Sequence, residues 1–369
     1  MFNNIIHQES AKTILKHAIN SNRVAQGYLL SGYEGTGKML TAMTLAKVLN
    51  CLSDIKPCNT CNSCIKINNF SHPDVKYYFP IPNYDMDING GLKSNSDLAE
   101  YQEFISSKIN TPWRIYNFDK PTAIRIEQIR ALQNDISMAR FEGKVKVYII
   151  EGFETLTIAA SNSFLKTLEE PPPNTVFILL TSHKEKILPT ILSRVIVIDF
   201  FPIPTEKIED YLRKHFTSDD TVAKLNAHLA NGNLERAITL TTDGNISSIE
   251  LLIDFLNIIL SKDDERFVAW LESHVGKEKK STKDQFKLPI LIQFLYIWVN
   301  DVKQFSLNTG NLVFINHVNL IAEFSKRNDD TDALLNVLYK LDEYQQKFSG
   351  NVNSKLILVQ IYDTFKNVF

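Results

Sequence analysis

LLSGYEGTGKMLTAM, residues 29–43, is the most informative stretch of this chain. Read from Gly32, it follows the pattern G-x-x-x-x-G-K through Gly37 and Lys38. The apolar run GYLLSG before the loop predicts a buried strand, and the 3.6-residue spacing of apolar residues after the loop predicts a helix. Backbone N–H groups of such a loop surround phosphates at a helix N-terminus. The stretch therefore predicts a phosphate-binding P-loop, and the alternative is a glycine turn with a surface lysine.

The same loop departs from the pattern of a working ATPase at its last position. Its candidate nucleotide-binding residues are Gly32, Gly35, Gly37, Lys38 and Met39. Met39 stands where a Ser or Thr hydroxyl would bind a magnesium ion, and methionine has no hydroxyl. The magnesium-binding part of the P-loop is therefore predicted to be missing.

A second departure concerns the predicted Walker-B strand, KVYII, which leads into Glu151 and Gly152. Glu151 can replace the usual aspartate near the magnesium ion, although its side chain is one methylene longer. Gly152 stands where the water-activating glutamate belongs, and glycine has no group that can activate water. The two departures together predict a degenerate site that does not hydrolyse ATP.

All four cysteines of the chain lie within 14 residues, in the pattern C-x6-C-x2-C-x2-C formed by Cys51, Cys58, Cys61 and Cys64. Four thiolates at this spacing can close a tetrahedral shell on Zn²⁺, because C-x2-C pairs come from one tight turn. The alternatives are an iron–sulfur cluster or unligated thiols. A shell filled by four cysteines leaves no open position, so we expect a structural zinc and not a catalytic one.

Composition places few limits on function. The chain has 369 residues, with 40 Lys and Arg against 42 Asp and Glu, so its net charge of −2 does not argue for independent binding to nucleic acid or membranes. The N-terminus lacks the pattern of a signal peptide, and the longest apolar run, residues 288–299, is too short to span a bilayer. We therefore expect a soluble, cytoplasmic protein of two or three domains.

Apolar β-rich runs alternate with helical segments through the first 200 residues. Strands are predicted at 75–79, 145–150, 175–181 and 195–200. Helices are predicted at 125–139 and 157–170, and three prolines follow the second one. This alternation predicts an α/β domain whose parallel sheet is covered on both faces. Residues 81–120 are polar and are predicted to be an insertion with a helical stretch, and the chain reads as helical from about residue 205.

The segment LPTILSRV, residues 188–195, ends in an exposed-looking pair, Ser193 and Arg194. Pro189 suits the first turn of a short helix, and the arginine follows it just before a buried strand. From the residues alone, an ordinary solvated arginine is the favoured interpretation.

The chain resembles a known family in the order of its motifs: the P-loop, the four-cysteine module, His72-Pro73-Asp74, and SNSFLKTLEEPPPNTVFILLTSHKEKILPTILSR at 161–194. This order resembles the clamp-loader branch of the AAA+ ATPases, in particular the delta-prime and gamma/tau subunits of bacterial DNA polymerase III. The resemblance covers most of residues 1–240. It implies the following domains: a RecA-like AAA+ domain with a five-stranded parallel sheet at 1–204, carrying the zinc module (51–72); a helical lid at 205–247; and an all-α collar at 248–369.

The resemblance also implies roles for individual arginines. In this family, an arginine at the position of Arg194, next to Ser193, is an arginine finger that reaches ATP bound on the neighbouring subunit. Val195 stands where the family has a cysteine. Arg236, in NGNLERAI, matches the sensor-2 arginine of the lid, and the alternative is a capping or surface arginine.

The departures at Met39 and Gly152 favour the delta-prime branch, whose nucleotide site is often degraded, over gamma/tau. The resemblance then implies a subunit of a hetero-pentameric complex within the DNA polymerase III holoenzyme. Its partners would be the gamma/tau and delta subunits, the sliding clamp and primed DNA, with structural zinc and no ATP/Mg²⁺ turnover by this chain. The alternatives are an active gamma/tau-type ATPase and a zinc-bearing AAA+-like regulatory protein outside replication.

Overall fold

The chain divides into two compact units in a computed structural model. The first comprises Met1–Ile208 and Asn231–Arg236, and the second Glu209–Ala230 and Ala237–Phe369. The three-domain boundaries at 204 and 247 remain a prediction. The residues described are 1–87, 90–111, 118, 120–217, 219–242, 246–275, 288–309, 312–349 and 353–369.

Five parallel strands form one sheet in the first unit, in the order β2-β3-β4-β1-β5. Their bounds are β1 Gly27–Gly32, β2 Val75–Tyr78, β3 Lys146–Ile150, β4 Thr175–Thr181 and β5 Ile196–Phe200. The five apolar runs of the sequence are these strands, which confirms the predicted RecA-like α/β fold. Because all the strands are parallel, the loops after β1, β3 and β4 meet at one end of the sheet, where the strands have their carboxyl ends.

Helices cover both faces of the sheet, as continuous apolar strands require. The helices of the first half of the chain are α1 Glu9–Asn20, α2 Lys38–Asn50, α3 Asn62–Asn68, α4 Asn95–Asn110, α5 Ile126–Ser137, α6 Ile158–Glu169 and α7 Pro189–Leu192. Successive residues of β1 point to opposite faces: Leu30 belongs to the apolar cluster that includes Met43 of α2, and Leu29 to the cluster that includes Phe164 of α6.

The predicted insertion, 81–120, lies beside the edge strand β2, although residues 88–89, 112–117 and 119 are outside the described part of the chain. Its helix is α4. Aromatic side chains of α4 stack on the residue that follows β2, since the ring centroid of Phe79 lies 4.1 Å from that of Phe104 and 5.4 Å from that of Tyr101. This small aromatic cluster attaches the insertion to the sheet edge.

From residue 205 onward, the described residues form helices and short turns, as the sequence predicts. These helices are α8 Thr205–His215, α9 Asp220–Ala230, α10 Leu234–Thr242, α11 Ile246–Ser261, α12 Asp264–Val275, α13 Leu288–Ser306, α14 Val318–Arg327, α15 Thr331–Ser349 and α16 Ser354–Val368. The second unit has its own apolar core, which includes Trp298 and Phe324. None of the helices in the described ranges has the length and apolar character needed to cross a membrane.

Candidate functional site

The P-loop has the local form that its sequence predicts: β1 ends at Gly32, the loop follows, and α2 begins at Lys38. Gly35 has a φ of +66°, a conformation that favours glycine. A Cβ at this position would lie 1.7 Å from Oδ1 of Asn233, and the backbone N–H of Leu234 donates to the carbonyl of Gly35 at 3.1 Å. The loop is thus packed directly against the Asn233–Leu234 segment.

The P-loop lysine is bonded to its own loop. Nζ of Lys38 donates to the carbonyl oxygens of Gly32 at 2.5 Å and Tyr33 at 2.6 Å. Burial lowers the pKa of Lys38 to about 8, against the opposing effect of nearby glutamates. These two carbonyls use two of the three N–H donors of the ammonium group, which leaves one for a phosphate.

Met39 belongs to the protein core. Its side chain is only 4% exposed and lies in the apolar cluster that includes Met43 and Leu180. The residue therefore offers no oxygen to a metal ion, and its replacement by a smaller polar residue would leave a cavity in a packed region.

Glu151 and Gly152 follow β3, at the same end of the sheet as the P-loop. Gly152 has a φ of +62°, and a Cβ there would lie 2.7 Å from Cγ of Pro80. The position is crowded as well as conformationally restricted, so a glutamate could not replace Gly152 without displacing Pro80.

Two residues that no motif predicted bind the carboxylate of Glu151. Nζ of Lys108, from α4, lies 3.0 and 3.2 Å from its two oxygens, and the hydroxyl of Tyr77, from β2, donates to Oε2. Burial, together with the charge of Glu151, raises the pKa of Tyr77 well above its usual value, so the phenol stays protonated. One sequence signal could have indicated this contact. Lys108 lies on the same helical stripe as the apolar residues Tyr101, Phe104 and Ile105.

A cavity of about 240 Å³ lies between the P-loop and the residues that follow β3. Its lining includes the P-loop, the end of β3 and three residues of the insertion, Phe104, Lys108 and Phe118. Glu154 also lines it, and its Oε1 accepts the backbone N–H of Ser182 at 3.3 Å. The P-loop and the Walker-B position are therefore brought together as predicted, but insertion residues share the space.

Two features of the site disfavour a magnesium ion. The position of the hydroxyl ligand is a buried methionine, and the carboxylate at the Walker-B position is bound to an ammonium group and a phenol. The cavity is also smaller than the roughly 300–1,000 Å³ typical of ligand sites.

The four cysteine sulfur atoms lie within 4.8 Å of one another. Cys51 ends α2, Cys61 precedes α3 and Cys64 lies in its first turn. Sγ of Cys51 lies 3.5 Å from Sγ of Cys58 and 3.9 Å from that of Cys61. Tetrahedral zinc with Zn–S bonds of about 2.3 Å requires S–S separations of about 3.8 Å, so the cysteines fit this ion.

Backbone hydrogen bonds also favour a thiolate in this cluster. N–H groups of Thr60 and Cys61 lower the pKa of Cys58 to about 6, and the N–H of Cys61 lies 3.3 Å from its sulfur. Burial has the opposite effect on Cys64 and raises its pKa to about 12. A bound cation would stabilise the thiolate form of both.

The cysteine module contacts the segment before β3. Lys66 of α3 forms an ion pair with Glu142 at 2.8 Å, and Nζ of Lys144 donates to the carbonyl of Cys51 at 2.9 Å. Asp74 orders the same segment, because its carboxylate accepts the backbone N–H groups of residues 141–143. His72 accepts the N–H of Asp74 on Nδ1 at 3.1 Å and lies outside the cysteine cluster.

Arg194 lies just after α7, with a side chain that is 35% exposed. Its guanidinium donates to Oε1 of Glu169 at 3.0 Å and to the carbonyl of Thr190 at 2.8 Å. Ser193 donates to the same carbonyl and accepts from Arg194 at 3.3 Å. Glu169 belongs to the LEEPP segment, and its ion pair with Arg194 was not predicted.

Arg236 lies in the first turn of α10, and its backbone N–H donates to Oδ1 of Asn233 at 2.9 Å. Burial lowers its pKa, as expected for a half-buried guanidinium. The side chain is thus close in sequence to the segment that packs on Gly35, while its proposed sensor role remains a prediction.

A family model described as "DNA polymerase III, delta subunit" matches residues 7–204. Among curated proteins, the DNA polymerase III subunit delta' of Bacillus subtilis (strain 168) is 26% identical over 349 residues, which cover 94% of this chain and 92% of that protein. The DNA polymerase III subunit tau of the same organism is 28% identical over 291 residues, which cover 77% of this chain and 44% of that protein. The chain therefore spans less than half of the tau protein's length.

A solved structure of a DNA polymerase III gamma subunit-related protein from Thermotoga maritima aligns with 96% of this chain and 99% of its own. The sequence identity is 16% and the TM-score is 0.45.

Proposed function

Because the chain belongs to the clamp-loader family of DNA polymerase III, we propose that it is the delta-prime subunit of such a complex. In this role it assembles with gamma/tau and delta subunits and helps ATP-driven loading of a sliding clamp onto primed DNA. Its own site does not turn over ATP. Residues 205–247 are the proposed lid, and residues 248–369 the proposed collar that joins a hetero-pentameric ring.

The observation that carries this proposal is the condition of the P-loop site. Met39 is packed in the core, and the packing around Gly152 leaves no room for the glutamate that activates water. Hydrolysis at a P-loop requires both magnesium coordination and an oriented water. A member of this family that lacks both is best suited to a non-motor position in the complex. The near full-length match to a delta' subunit supports the same choice.

Arg194 is the proposed contribution of this chain to catalysis. Its side chain is partly exposed and is held by an ion pair of the surface type, which is worth about 1 kcal/mol or less. Arg194 can therefore leave Glu169 and bind a phosphate on a neighbouring subunit at little cost in free energy. A trans-acting arginine that stabilises charge on the transferred phosphoryl group can raise kcat by about 10³-fold or more.

Zinc is the proposed metal of the four-cysteine site. The sulfur separations fit tetrahedral Zn–S bonds, and the four ligands leave no open coordination position. The metal would then hold the loop between α2 and α3 in place and take no part in nucleotide chemistry.

An active gamma/tau-type ATPase is the second candidate, because a tau subunit is also similar over 77% of this chain. That candidate requires a magnesium-binding hydroxyl and a catalytic acid in the P-loop site. A regulatory role outside replication is disfavoured by the family match.

The decisive experiment is the Arg194→Ala substitution in a reconstituted complex. We expect normal assembly and a loss of turnover of about 10³-fold at the one neighbouring site, seen as a partial loss of the complex's ATPase activity. Arg213→Ala is a matched control, because Arg213 is 41% exposed and is likewise paired with an acid, Glu209. Unchanged ATPase in the Arg194→Ala complex would refute the arginine-finger role.

A further inference from the structure

Lys108 is a buried lysine at the end of the insertion helix α4. Its side chain is 1% exposed, and Nζ lies 3.0 and 3.2 Å from the two oxygens of Glu151. Nζ also lies 5.9 Å from the ring centroid of Phe104, so its stem crosses the aromatic cluster of the insertion. An ion pair so little exposed to water is retained only where the two charges compensate each other.

The position of this ion pair in the fold indicates a role in addition to packing. Glu151 follows β3, which is where a P-loop ATPase holds the acid that attracts its magnesium ion. In this chain the cation beside that acid is an ammonium group, delivered by an insertion that follows β2. The hydroxyl of Tyr77 donates to Oε2 of the same carboxylate. Each oxygen of this acid therefore already accepts a hydrogen bond, and a metal would compete with these donors.

Aromatic side chains of the insertion lie beside this pair. Phe104 and Phe118 form part of the lining of the cavity, and their ring centroids lie 5.4 Å apart. A magnesium ion would have to displace the Lys108 ammonium or the Tyr77 hydroxyl before it could bind the carboxylate of Glu151 in their place.

We propose that Lys108 is a resident cation that takes the place of the divalent ion at Glu151, and that α4 thereby holds the P-loop site closed to magnesium nucleotides. This inference rests on the proposed function in one respect, the absence of turnover, and goes beyond it by excluding binding. Helix α4 then keeps magnesium nucleotides out of the degenerate site. Mg²⁺ and the Lys108 ammonium would compete for the carboxylate, because two cations at that distance repel each other.

The test measures nucleotide binding by the full-length chain, using a ribose-labelled fluorescent ATP with and without Mg²⁺. Magnesium is omitted and not chelated, because a chelator would strip the cysteine site. The wild-type chain should give no saturable signal in either condition. Lys108→Met, which nearly keeps the length and removes the charge, should give saturable binding that depends on magnesium under the same conditions.

Two variants separate the cation from the packing of α4. Lys108→Arg keeps a cation and should remain closed, like wild type. Lys108→Met combined with Glu151→Gln removes the acid that would attract magnesium and should lose the gained binding. Saturable binding by wild type, or equal binding by wild type and Lys108→Met, would overturn the proposal.

A second measurement needs no variant and stands even if Lys108→Met does not fold. Amide hydrogen exchange of residues 95–110 in the wild-type chain should be unchanged by adding Mg²⁺ and ATP. A change in the exchange rates of that segment would show that the nucleotide reaches the site, and would refute the proposal that α4 excludes it. Wild-type binding without hydrolysis would overturn this inference alone, since the proposed function is tested by Arg194→Ala in the complex.

Discussion

Gly152 links the chemistry of the candidate site to its packing at the scale of a single residue. The sequence indicates only that a catalytic glutamate is missing. The structure adds that the residue has a positive φ and that a Cβ there would lie 2.7 Å from Cγ of Pro80. The position is therefore maintained by local geometry, and restoring one side chain would not restore an ATPase. Met39 gives the same result, because its side chain fills the core.

We predict that Gly152→Ala destabilises the chain by about 2 kcal/mol, from backbone strain and from contact with Pro80. Urea unfolding would measure the change in the free energy of unfolding. In a Pro80→Ala background the same substitution should cost less, because the crowding atoms are gone. Equal costs in the two backgrounds would mean that the contact with Pro80 is not the cause.

The four-cysteine module, residues 51–72, is the element for which we propose a structural role. It contacts the segment before β3 through Lys66–Glu142 and through Lys144, which donates to the carbonyl of Cys51. The loop between α2 and α3 has few apolar contacts, since Leu52 and Ile55 are exposed, whereas Ile67 of α3 is buried in the core. A metal is therefore expected to supply much of the free energy that keeps it folded.

We predict about one zinc per chain by elemental analysis. A strong chelator should lower the Tm of the wild-type chain by at least about 5 °C, because the folded module loses its cross-link. Cys64→Ser, whose shell is already incomplete, is the control and should respond much less. Iron in place of zinc, or a Tm unaffected by chelation, would contradict the assignment.

At the scale of the whole molecule, the family match and the sheet domain coincide. The matched residues, 7–204, lie within the first compact unit, which carries the P-loop, the cysteines and Arg194. The second unit contributes an independent helical core. The residues on which the proposed action on a neighbouring subunit depends, Met39, Gly152 and Arg194, all lie in the first unit.

We predict that the purified chain alone hydrolyses ATP no faster than background, since its site lacks magnesium and water chemistry. Lys38→Ala should have the same baseline rate and serves as the control for contaminating ATPases. Robust turnover that disappears in Lys38→Ala would instead identify a gamma/tau-type motor.

Much of the fold was predictable because its signals are local in the chain. All five strands, α2, α5 and α6 follow from apolar periodicity and from glycine and proline positions, and the cysteine spacing alone predicted a cluster that the sulfur positions fit. The roles of Arg194 and Arg236 came from a family resemblance, and both remain predictions.

The sequence by itself therefore determined the class of fold, the four-cysteine cluster and the absence of a hydroxyl and an acid at the P-loop site, since each depends on neighbouring residues. Only the tertiary structure decided what occupies that site. Lys108 and Tyr77 are far from Glu151 along the chain, and no periodicity or spacing relates them. Their contact exists because β2 pairs with β3 and because α4 packs beside β2, which brings a buried ammonium group to the carboxylate of Glu151.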